Sequence, residues 1–275
     1  MRASHVDAAG TEHAPAGVDA RIVSLVPSIT ELLFALGLEG RIVGRTGFCI
    51  HPRERVRAVP KVGGTKSVKI DAVRALNPTH VIVNIDENDK PTIDALATFV
   101  PHIVVTHPLT PHDNLSLYAL IGAIFGCEHE AGRLADALSA RLDALARMAW
   151  PETRVLYVIW REPWMTIARD TYISAMLRLV NWQTCPAVTG GVTGAARYPS
   201  FEFDAPWLAD VERVLLASEP YRFTAAHRDA LATDARLAGK TVQLVDGEMV
   251  SWYGSRALEG VDYLRRLAGG ADSLD

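Results

Sequence analysis

Two sets of side chains in this sequence are of types that carry chemistry. Cys49 and His51 lie two residues apart and are the types that serve as nucleophile and base. That spacing is too local to define a catalytic pair without the fold. His102, His107 and His112 recur at intervals of five around prolines. An interval of five does not keep side chains on one helix face, so this spacing predicts solvated loop histidines and no metal site.

The motifs of common catalytic sites are missing from the sequence. It contains no Gly-x-x-x-x-Gly-Lys-Ser/Thr phosphate loop and no Gly-x-Ser-x-Gly elbow. A Gly-rich segment at residues 189–196 follows no strand-to-helix junction of the dinucleotide-binding type, and we interpret it as a flexible turn. We therefore predict no catalytic residue. An enzyme that handles a metal-bearing cofactor with Cys49 and His51 stays as an alternative.

Size and charge narrow the classes of protein further. A chain of 275 residues is long enough for two α/β domains, and its net charge of −4 gives no footprint for nucleic acid. Cys49, Cys127 and Cys185 lack the spacing of a disulfide scaffold or zinc site, which indicates three separate thiols. No apolar run is long enough for a membrane span, and residues 1–20 lack the apolar core of a secretory signal.

One pattern occurs twice, 133 positions apart. Ser67 lies four residues before Asp71, and the apolar run Val81–Val83 opens ten residues after that Asp. Ser200, Asp204 and the run that starts at Val214 repeat this spacing. Because Asp favours helix starts, each copy predicts an acid-capped short helix that leads into a buried strand. Two copies suggest two similar lobes, and a ligand is expected in the cleft of a two-lobed protein.

The remaining elements alternate between strand and helix. A first strand at residues 21–26 is followed by a helix whose start, Ser28 to Glu31, fits a capping box. Further strands and helices alternate on both sides of a long central helix, in which Leu134, Leu138 and Leu142 recur at helical spacing. Gly126 is predicted to end the helix that precedes it. We predict an α/β protein: two Rossmann-like lobes with mainly parallel sheets joined by a single long backbone helix. The predicted parts are a disordered lead-in at 1–20, an N-terminal lobe at 21–126, the linking helix at 127–150, a C-terminal lobe at 151–268 and a tail at 269–275.

Aromatic and charged residues cluster after the predicted strands. The clusters are Phe48 and His51; Trp160, Arg161, Glu162, Pro163 and Trp164; Arg197 and Tyr198; Glu219, Pro220, Tyr221 and Phe223; and Trp252, Tyr253 and Arg256. In open α/β folds ligands bind at the strand ends. Flat aromatic rings with a few charges suit a large, partly apolar ligand with a polar rim.

Several segments resemble one family. These are Arg21-Ile-Val-Ser-Leu-Val-Pro-Ser-Ile-Thr-Glu31-Leu, the Val62-Gly-Gly turn, Asn77-Pro-Thr-His-Val-Ile-Val and Trp252-Tyr-Gly-Ser-Arg256. In order and spacing they resemble the vitamin B12 and ferric-siderophore binding proteins of ABC importers, also called helical-backbone metal receptors. The resemblance covers roughly residues 21–268. It implies a ligand held between two lobes with little hinge motion, an ABC permease and a small-molecule ligand as partners, a monomer, and no intrinsic cofactor.

The resemblance also implies roles for individual residues. Asp71 and Asp204 match the acidic residues that dock onto permease arginines, and both are Asp where Glu is more usual. Phe48, Trp164 and Arg256 fall where the B12 binders place cleft aromatics and an arginine. Thr65 falls where those binders can carry a tryptophan, which leaves a ferric siderophore or haem open beside cobalamin. The expected ligand-binding residues are Pro27, Phe48, His51, Thr65, Trp164, Arg197, Tyr198, Tyr221, Trp252, Tyr253 and Arg256. The family location is periplasmic; without a signal peptide in the sequence, a cytoplasmic location stays open.

Overall fold

The computed structural model describes residues 5–191 and 193–270 and divides into two compact units. Unit 1 contains the described residues up to Pro108, together with His112–Leu138 and Tyr253–Arg256. Unit 2 contains Leu109–Pro111, Ser139–Trp252 and the described residues from Ala257 onward. Each unit has its own parallel sheet, so the predicted α/β class with two sheet-bearing halves is confirmed.

Unit 1 is built on a four-stranded parallel sheet in the order β2-β1-β3-β4. Its strands are β1 (Ile22–Ser24), β2 (Ile42–Arg45), β3 (His80–Asn84) and β4 (His102–Thr106). Every residue of β1 and β3 is buried, as expected for the inner strands of a parallel sheet. On one face, alternate valines such as Val23, Val81 and Val83 pack against Val73 and Leu96 of the covering helices.

The helices of unit 1 are α1 (Pro27–Ala35), α2 (Ile70–Ala75), α3 (Lys90–Ala97), α4 (Asp113–Phe125) and part of α5 (Glu128–Ala146), with short 3-10 turns at Glu39–Arg41 and Val56–Ala58. The helix α4 ends where the sequence predicts. Gly126 follows it in the left-handed conformation, with φ of 67°, and closes the helix through its amide.

The predicted capping box of α1 is wrong. The N-cap is Val26, which supplies no side-chain hydrogen bond, and Pro27 occupies the first turn. Proline fits there because the first amides of a helix have no partner within it. Ser28 is buried, and the Glu31 carboxylate forms an ion pair with Arg256. A residue distant in sequence therefore determines the role of Glu31.

Unit 2 repeats the sheet topology of unit 1. Its strands are β5 (Thr153–Val158), β6 (Trp182–Thr184), β7 (Arg213–Ala217) and β8 (Thr241–Val245), in the parallel order β6-β5-β7-β8. The core on one face contains Leu156, Val158, Val214 and Leu216 beside a set of phenylalanines. The short strand β6, with three residues, is too short to show an alternating pattern and is not predicted from the sequence.

The helices of unit 2 are the rest of α5, α6 (Tyr172–Arg178), α7 (Ala225–Ala232), α8 (Gly247–Ser251) and α9 (Arg256–Ala268). The first residue of α9 belongs to unit 1. Short 3-10 turns lie at Ala195–Arg197, Pro206–Asp210 and Ala235–Leu237. Thr171 caps α6 through its side chain, where the sequence predicts either Asp170 or Thr171 as the cap. None of the helices in the described part of the chain has the length and apolar character that crossing a bilayer requires.

The two copies of the repeated pattern precede topologically equivalent strands, β3 and β7. Their local structure differs from the predicted acid-capped helix. Asp71 lies inside the first turn of α2, whose N-cap is Lys69, and Asp204 lies in a turn before the 3-10 helix Pro206–Asp210. The second copy contains Pro206 and the bulky Trp207, and it forms no α-helix.

The predicted long central helix is present as α5, with 19 residues. The division between the units falls within it, after Leu138. The segment Tyr253–Arg256, which the sequence analysis assigned to the C-terminal lobe, belongs to unit 1.

The structure differs from the predicted disordered lead-in over residues 5–20. The buried carboxylate of Asp7 accepts hydrogen bonds from the amides of Ala9, Thr11 and Val105 and contacts the His13 ring at 3.0 Å. The amide of Ala8 donates to the Val105 carbonyl at 2.9 Å. This N-terminal arm, residues 5–20, therefore covers β4, an edge strand. Residues 1–4 and most of the predicted tail lie outside the described residues.

Candidate functional site

In unit 1, the loop after β2 exposes an aromatic ring on a firmly held backbone. Phe48 is 62% exposed, whereas its neighbour Cys49 is fully buried. The buried guanidinium of Arg45 donates to the carbonyls of Thr46 and Cys49, both at 3.1 Å, and of Val56. These bonds fix the loop from inside the fold. An exposed phenylalanine on such a loop is an apolar surface available to a ligand.

The Cys49 thiol is unsuited to nucleophilic chemistry. Burial raises its pKa, and hydrogen bonds from Thr30 and Thr46 oppose this effect only in part. The Thr30 hydroxyl donates to Sγ at 3.0 Å. A nucleophilic cysteine needs its thiolate, which burial disfavours. His51 is half-buried on the same loop. Within residues 5–191 and 193–270, no three histidine, cysteine or acidic side chains are grouped to hold a metal ion.

Two other predicted residues of unit 1 follow strand ends. Thr65 is half-buried, and its carbonyl accepts from the Asn88 amide group at 3.0 Å. Asn88 follows β3, and its side-chain oxygen accepts from the amide of Asn84. Pro27, the first residue of α1, lies three positions after the end of β1 and is also half-buried. Asn88 Nδ2 also donates to the Leu25 carbonyl at 3.4 Å, so this side chain joins the loops after β1, β2 and β3 at the carboxyl end of the sheet.

Tyr253 and Arg256 are buried in unit 1, and their polar groups are hydrogen-bonded there. The Tyr253 hydroxyl donates to Glu87 at 2.6 Å, and burial together with the Glu87 charge raises its pKa well above the usual value. The Arg256 guanidinium is 8% exposed and binds both carboxylate oxygens of Glu31, at 2.6 and 2.9 Å. Such a bidentate pair fixes the arginine in place.

In unit 2, aromatic rings follow β5 and β7. The Trp164 ring stacks on Phe223 at 6.1 Å and meets the edge of Phe203 at 4.9 Å, so this half-buried ring packs against the core. Trp160 is 40% exposed and contacts Tyr221 edge to face at 5.7 Å. Trp160 belongs to a predicted strand-end cluster but is not among the expected binding residues. Its exposed ring makes it the stronger candidate, and its position just after β5 was the available signal.

The Gly-rich segment is held by two charged side chains. Asp170 accepts from the amides of Gly190 and Gly191, the latter at 2.7 Å. Arg197 is 1% exposed and donates to the Gly191 carbonyl at 2.7 Å. These amides are therefore used within the protein, in contrast to the free amides of a phosphate-binding loop. Tyr198 is half-buried beside Arg197. The segment differs from the predicted flexible turn; its Val192 lies outside the described residues.

Trp252 is the last residue of unit 2 before the segment that belongs to unit 1. It is 8% exposed, and its indole nitrogen donates to Glu219 at 2.8 Å. Glu219 lies in a predicted aromatic-rich cluster, and its sequence position alone indicates no role. Asp71 and Asp204 are both exposed, each on the unit whose repeat it belongs to.

The structure thus brings Pro27, Phe48 and Thr65 to one edge of the first sheet, and Trp160, Tyr221 and Trp252 to loops at one edge of the second. These edges are the carboxyl ends of parallel strands, where open α/β sheets bind ligands. Tyr253, Arg256 and Arg197 are buried and hydrogen-bonded within their units.

Comparison with solved structures supports the fold. A periplasmic heme-binding protein, RhuT from Roseiflexus sp. RS-1, is 22% identical, with a TM-score of 0.74 over 92% of this chain and 100% of that chain. The periplasmic vitamin B12 binding protein BtuF of Vibrio cholerae is 18% identical, with a TM-score of 0.75 over 91% of this chain and 97% of that chain. At these identities the likeness shows a shared fold.

Comparison of sequences identifies the family. A curated relative, the uncharacterized ABC transporter substrate-binding lipoprotein YvrC of Bacillus subtilis (strain 168), is 24% identical over 89% of this chain and 78% of its own length. The family model described as periplasmic binding protein matches residues 22–221, which is more than half of the sequence. The chain therefore belongs to the periplasmic binding protein family.

Proposed function

We propose that this chain is the solute-binding component of an ABC importer and that it captures a corrinoid, a ligand like vitamin B12, and delivers it to the permease. The observation that carries the proposal is the pair of exposed rings, Phe48 and Trp160, on loops at the carboxyl ends of the strands. The family match and the name of the Bacillus relative support the transport role. The relative is a lipoprotein by name, which supports a location outside the cytoplasmic membrane for this protein.

Binding would come mainly from apolar contact. A corrin ring is large and flat, and burying its faces against aromatic side chains contributes about 25 cal/mol per Å². The loop backbone around Phe48 is held by Arg45, so little ordering is needed when a ligand binds.

A ferric siderophore or haem is the second candidate ligand. The ion pair between Arg256 and Glu31 favours it over a corrinoid, because this arginine is the polar contact expected for corrinoid side groups. The solved structure from Roseiflexus is that of a heme-binding protein by its title.

The test is a titration of the purified protein with cyanocobalamin, haemin and two ferric siderophores, followed by calorimetry and by the fluorescence of its six tryptophans. We expect saturable binding of cyanocobalamin. Phe48→Ala should weaken it by about 1–2 kcal/mol, the scale of one aromatic contact. Met148→Ala, which removes an exposed apolar side chain just after α5, serves as the matched control. Saturation by haemin or a siderophore alone would replace the corrinoid. Turnover of any of these compounds would support the enzyme alternative instead.

Docking to the permease is the second part of the proposal, and it rests on Asp71 and Asp204. Both are exposed and precede equivalent strands of the two sheets. Replacing both by Ala should abolish ligand-dependent stimulation of permease ATPase activity and leave ligand affinity unchanged. The control replaces Asp136 and Asp143, two exposed residues of α5, by Ala. Full stimulation by the Asp71/Asp204 double variant would rule out docking through these residues.

A further inference from the structure

Glu219, in the loop after β7, holds two residues of a neighbouring segment through one carboxylate oxygen. Its Oε1 accepts from the Ser251 hydroxyl at 2.6 Å and from the Trp252 indole nitrogen at 2.8 Å. Both donors lie at the end of α8, in the segment that follows β8. We propose that Glu219 is the positioning residue of this site: it fixes the largely buried Trp252 ring, of which only 8% is exposed to a ligand. This inference rests on the proposed binding function.

Close packing on both sides of Glu219 supports a fixed geometry. The Gly247 amide donates to the Ser218 hydroxyl at 2.8 Å, which ties the first residue of α8 to the residue before Glu219. A Cβ atom on Gly247 would lie 2.6 Å from Cγ of Glu219 and 3.0 Å from its amide nitrogen. Only glycine allows this approach, so the two loops meet at van der Waals contact.

Glu219 and its hydrogen bonds to Ser251 and Trp252, which we call the latch, lie near other acidic side chains. Burial raises its pKa, and the nearby carboxylates of Glu248 and Asp246 raise it too, while the bonds from Ser251 and Trp252 lower it. Tyr157 also faces this group: it is 1% exposed, and burial raises its pKa well above the usual value, with the Glu219 and Asp246 charges and Tyr263 adding to the effect. The Tyr263 hydroxyl accepts from the Asp246 amide at 2.9 Å. In the latch, the Glu219 carboxylate thus accepts hydrogen bonds from Ser251 and Trp252 while the neighbouring carboxylates Glu248 and Asp246 oppose its negative charge.

The hydrogen bond determines what Trp252 can offer a ligand. An indole has a single donor, and here that donor is used by Glu219. Trp252 therefore contributes ring carbons, and its orientation depends on the carboxylate. Without the acceptor, the buried indole N–H would lose its partner and the ring would change its position.

A ligand-free measurement tests the latch first. In ¹⁵N spectra of the full chain, Trp252→Phe assigns the indole resonance. Glu219→Ala should move this resonance away from its hydrogen-bonded position, and Glu219→Gln, which keeps an acceptor oxygen, should largely restore it. On acidification the wild-type resonance should follow protonation of the carboxylate, and in the Gln variant it should stop doing so. An indole signal that ignores both substitutions overturns the inference, whatever the protein binds.

Binding then tests the consequence for the site. Each variant is titrated with cyanocobalamin and with haemin. Glu219→Ala should weaken binding by about tenfold, the equivalent of one lost buried hydrogen bond. Glu219→Gln should stay within about threefold of wild type. In a Trp252→Phe background, adding Glu219→Ala should cause no further loss, because the ring no longer depends on the acceptor.

The controls separate the two possible failures. Glu152→Ala and Glu152→Gln, at an exposed glutamate of unit 2, should change neither the indole signal nor binding. If wild type binds neither compound, the proposed corrinoid or haem function fails, and the indole measurement still decides the latch. If wild type binds one of them and Glu219→Ala binds it equally well, the positioning role fails and the proposed function stands.

Discussion

His80 makes unit 1 sensitive to acid, and the size of the effect can be estimated. It is the first residue of β3 and only 4% exposed. Its ring stacks on His102 with centroids 4.7 Å apart and meets the edge of Phe125 at 5.1 Å. Burial lowers its pKa from 6.5 to about 4, and the charges of His102 and His13 add to the decrease.

The direction of the change in stability with pH follows from which state, folded or unfolded, binds the proton on His80. Below pH 6.5 the unfolded chain protonates His80, while the folded protein keeps the ring neutral until about pH 4. The stability that depends on the neutral ring is complete above pH 6.5 and is lost as the pH falls from 6.5 to 4. The full shift corresponds to about 3 kcal/mol at 1.36 kcal/mol per unit. A cavity of about 230 Å³ borders the ring, lined by residues of the N-terminal arm together with Thr79, Pro101 and His102. Solvent screening on that side reduces the expected effect to about 2 kcal/mol.

The assay is urea denaturation from pH 7.5 to 3.5, with hydrogen exchange of the β3 and β4 amides reporting on unit 1. His80→Gln removes the titrating ring. It lowers stability at pH 7 through lost packing, but its free energy of unfolding should fall less steeply between pH 6.5 and 4 than that of wild type. His129→Gln, at an exposed position of α5, is the control and should keep the wild-type slope. Parallel curves for wild type and His80→Gln, or an imidazole resonance of His80 that titrates near pH 6.5, would refute the reasoning.

Three further predictions concern stability. Gly126→Ala should destabilise the protein by about 1–2 kcal/mol because φ is 67° there; no atom lies within 4 Å of the added Cβ, so the backbone conformation alone causes the loss. Gly132→Ala inside α5 should stabilise the protein by about 0.5–1 kcal/mol, because alanine favours a helix interior. Equal shifts of the urea midpoint in the two variants would contradict this prediction. Glu31→Gln should lower the stability of unit 1 by about 3 kcal/mol because it leaves Arg256 with a broken buried ion pair, and adding Arg256→Met should recover part of the loss in the same unfolding assay. Asp7→Asn should loosen the N-terminal arm, measured as faster exchange of the Val105 amide and faster proteolysis within residues 5–13, and unchanged protection would show that this carboxylate does not hold the arm.

Much of the fold could be predicted from the sequence because the signals were local. The buried run of β3, the side-chain cap of α6 and the glycine after α4 each depend on neighbouring residues. The capping box failed for the opposite reason. A Ser–Glu spacing is a local signal, but the Glu31 side chain binds Arg256, which lies 225 positions away.

The candidate site was predictable only in outline. Strand ends could be located, so clusters at Phe48, Trp160 and Tyr221 could be proposed from position alone. Exposure could not be predicted: Trp160 and Trp164 are four positions apart, yet one ring is exposed and the other packs on Phe223. Which ring is free depends on residues contributed by other elements.

The sequence by itself determined the α/β class, the repeated plan of the two halves and the family, because periodicity, caps and motif order are encoded along the chain. The tertiary structure alone decided that Arg256 pairs with Glu31, that Glu219 holds Trp252, and that residues 5–20 cover an edge strand. These arrangements join residues that are distant in sequence. Their energy comes from burial and hydrogen bonding, which exist only once the chain has folded.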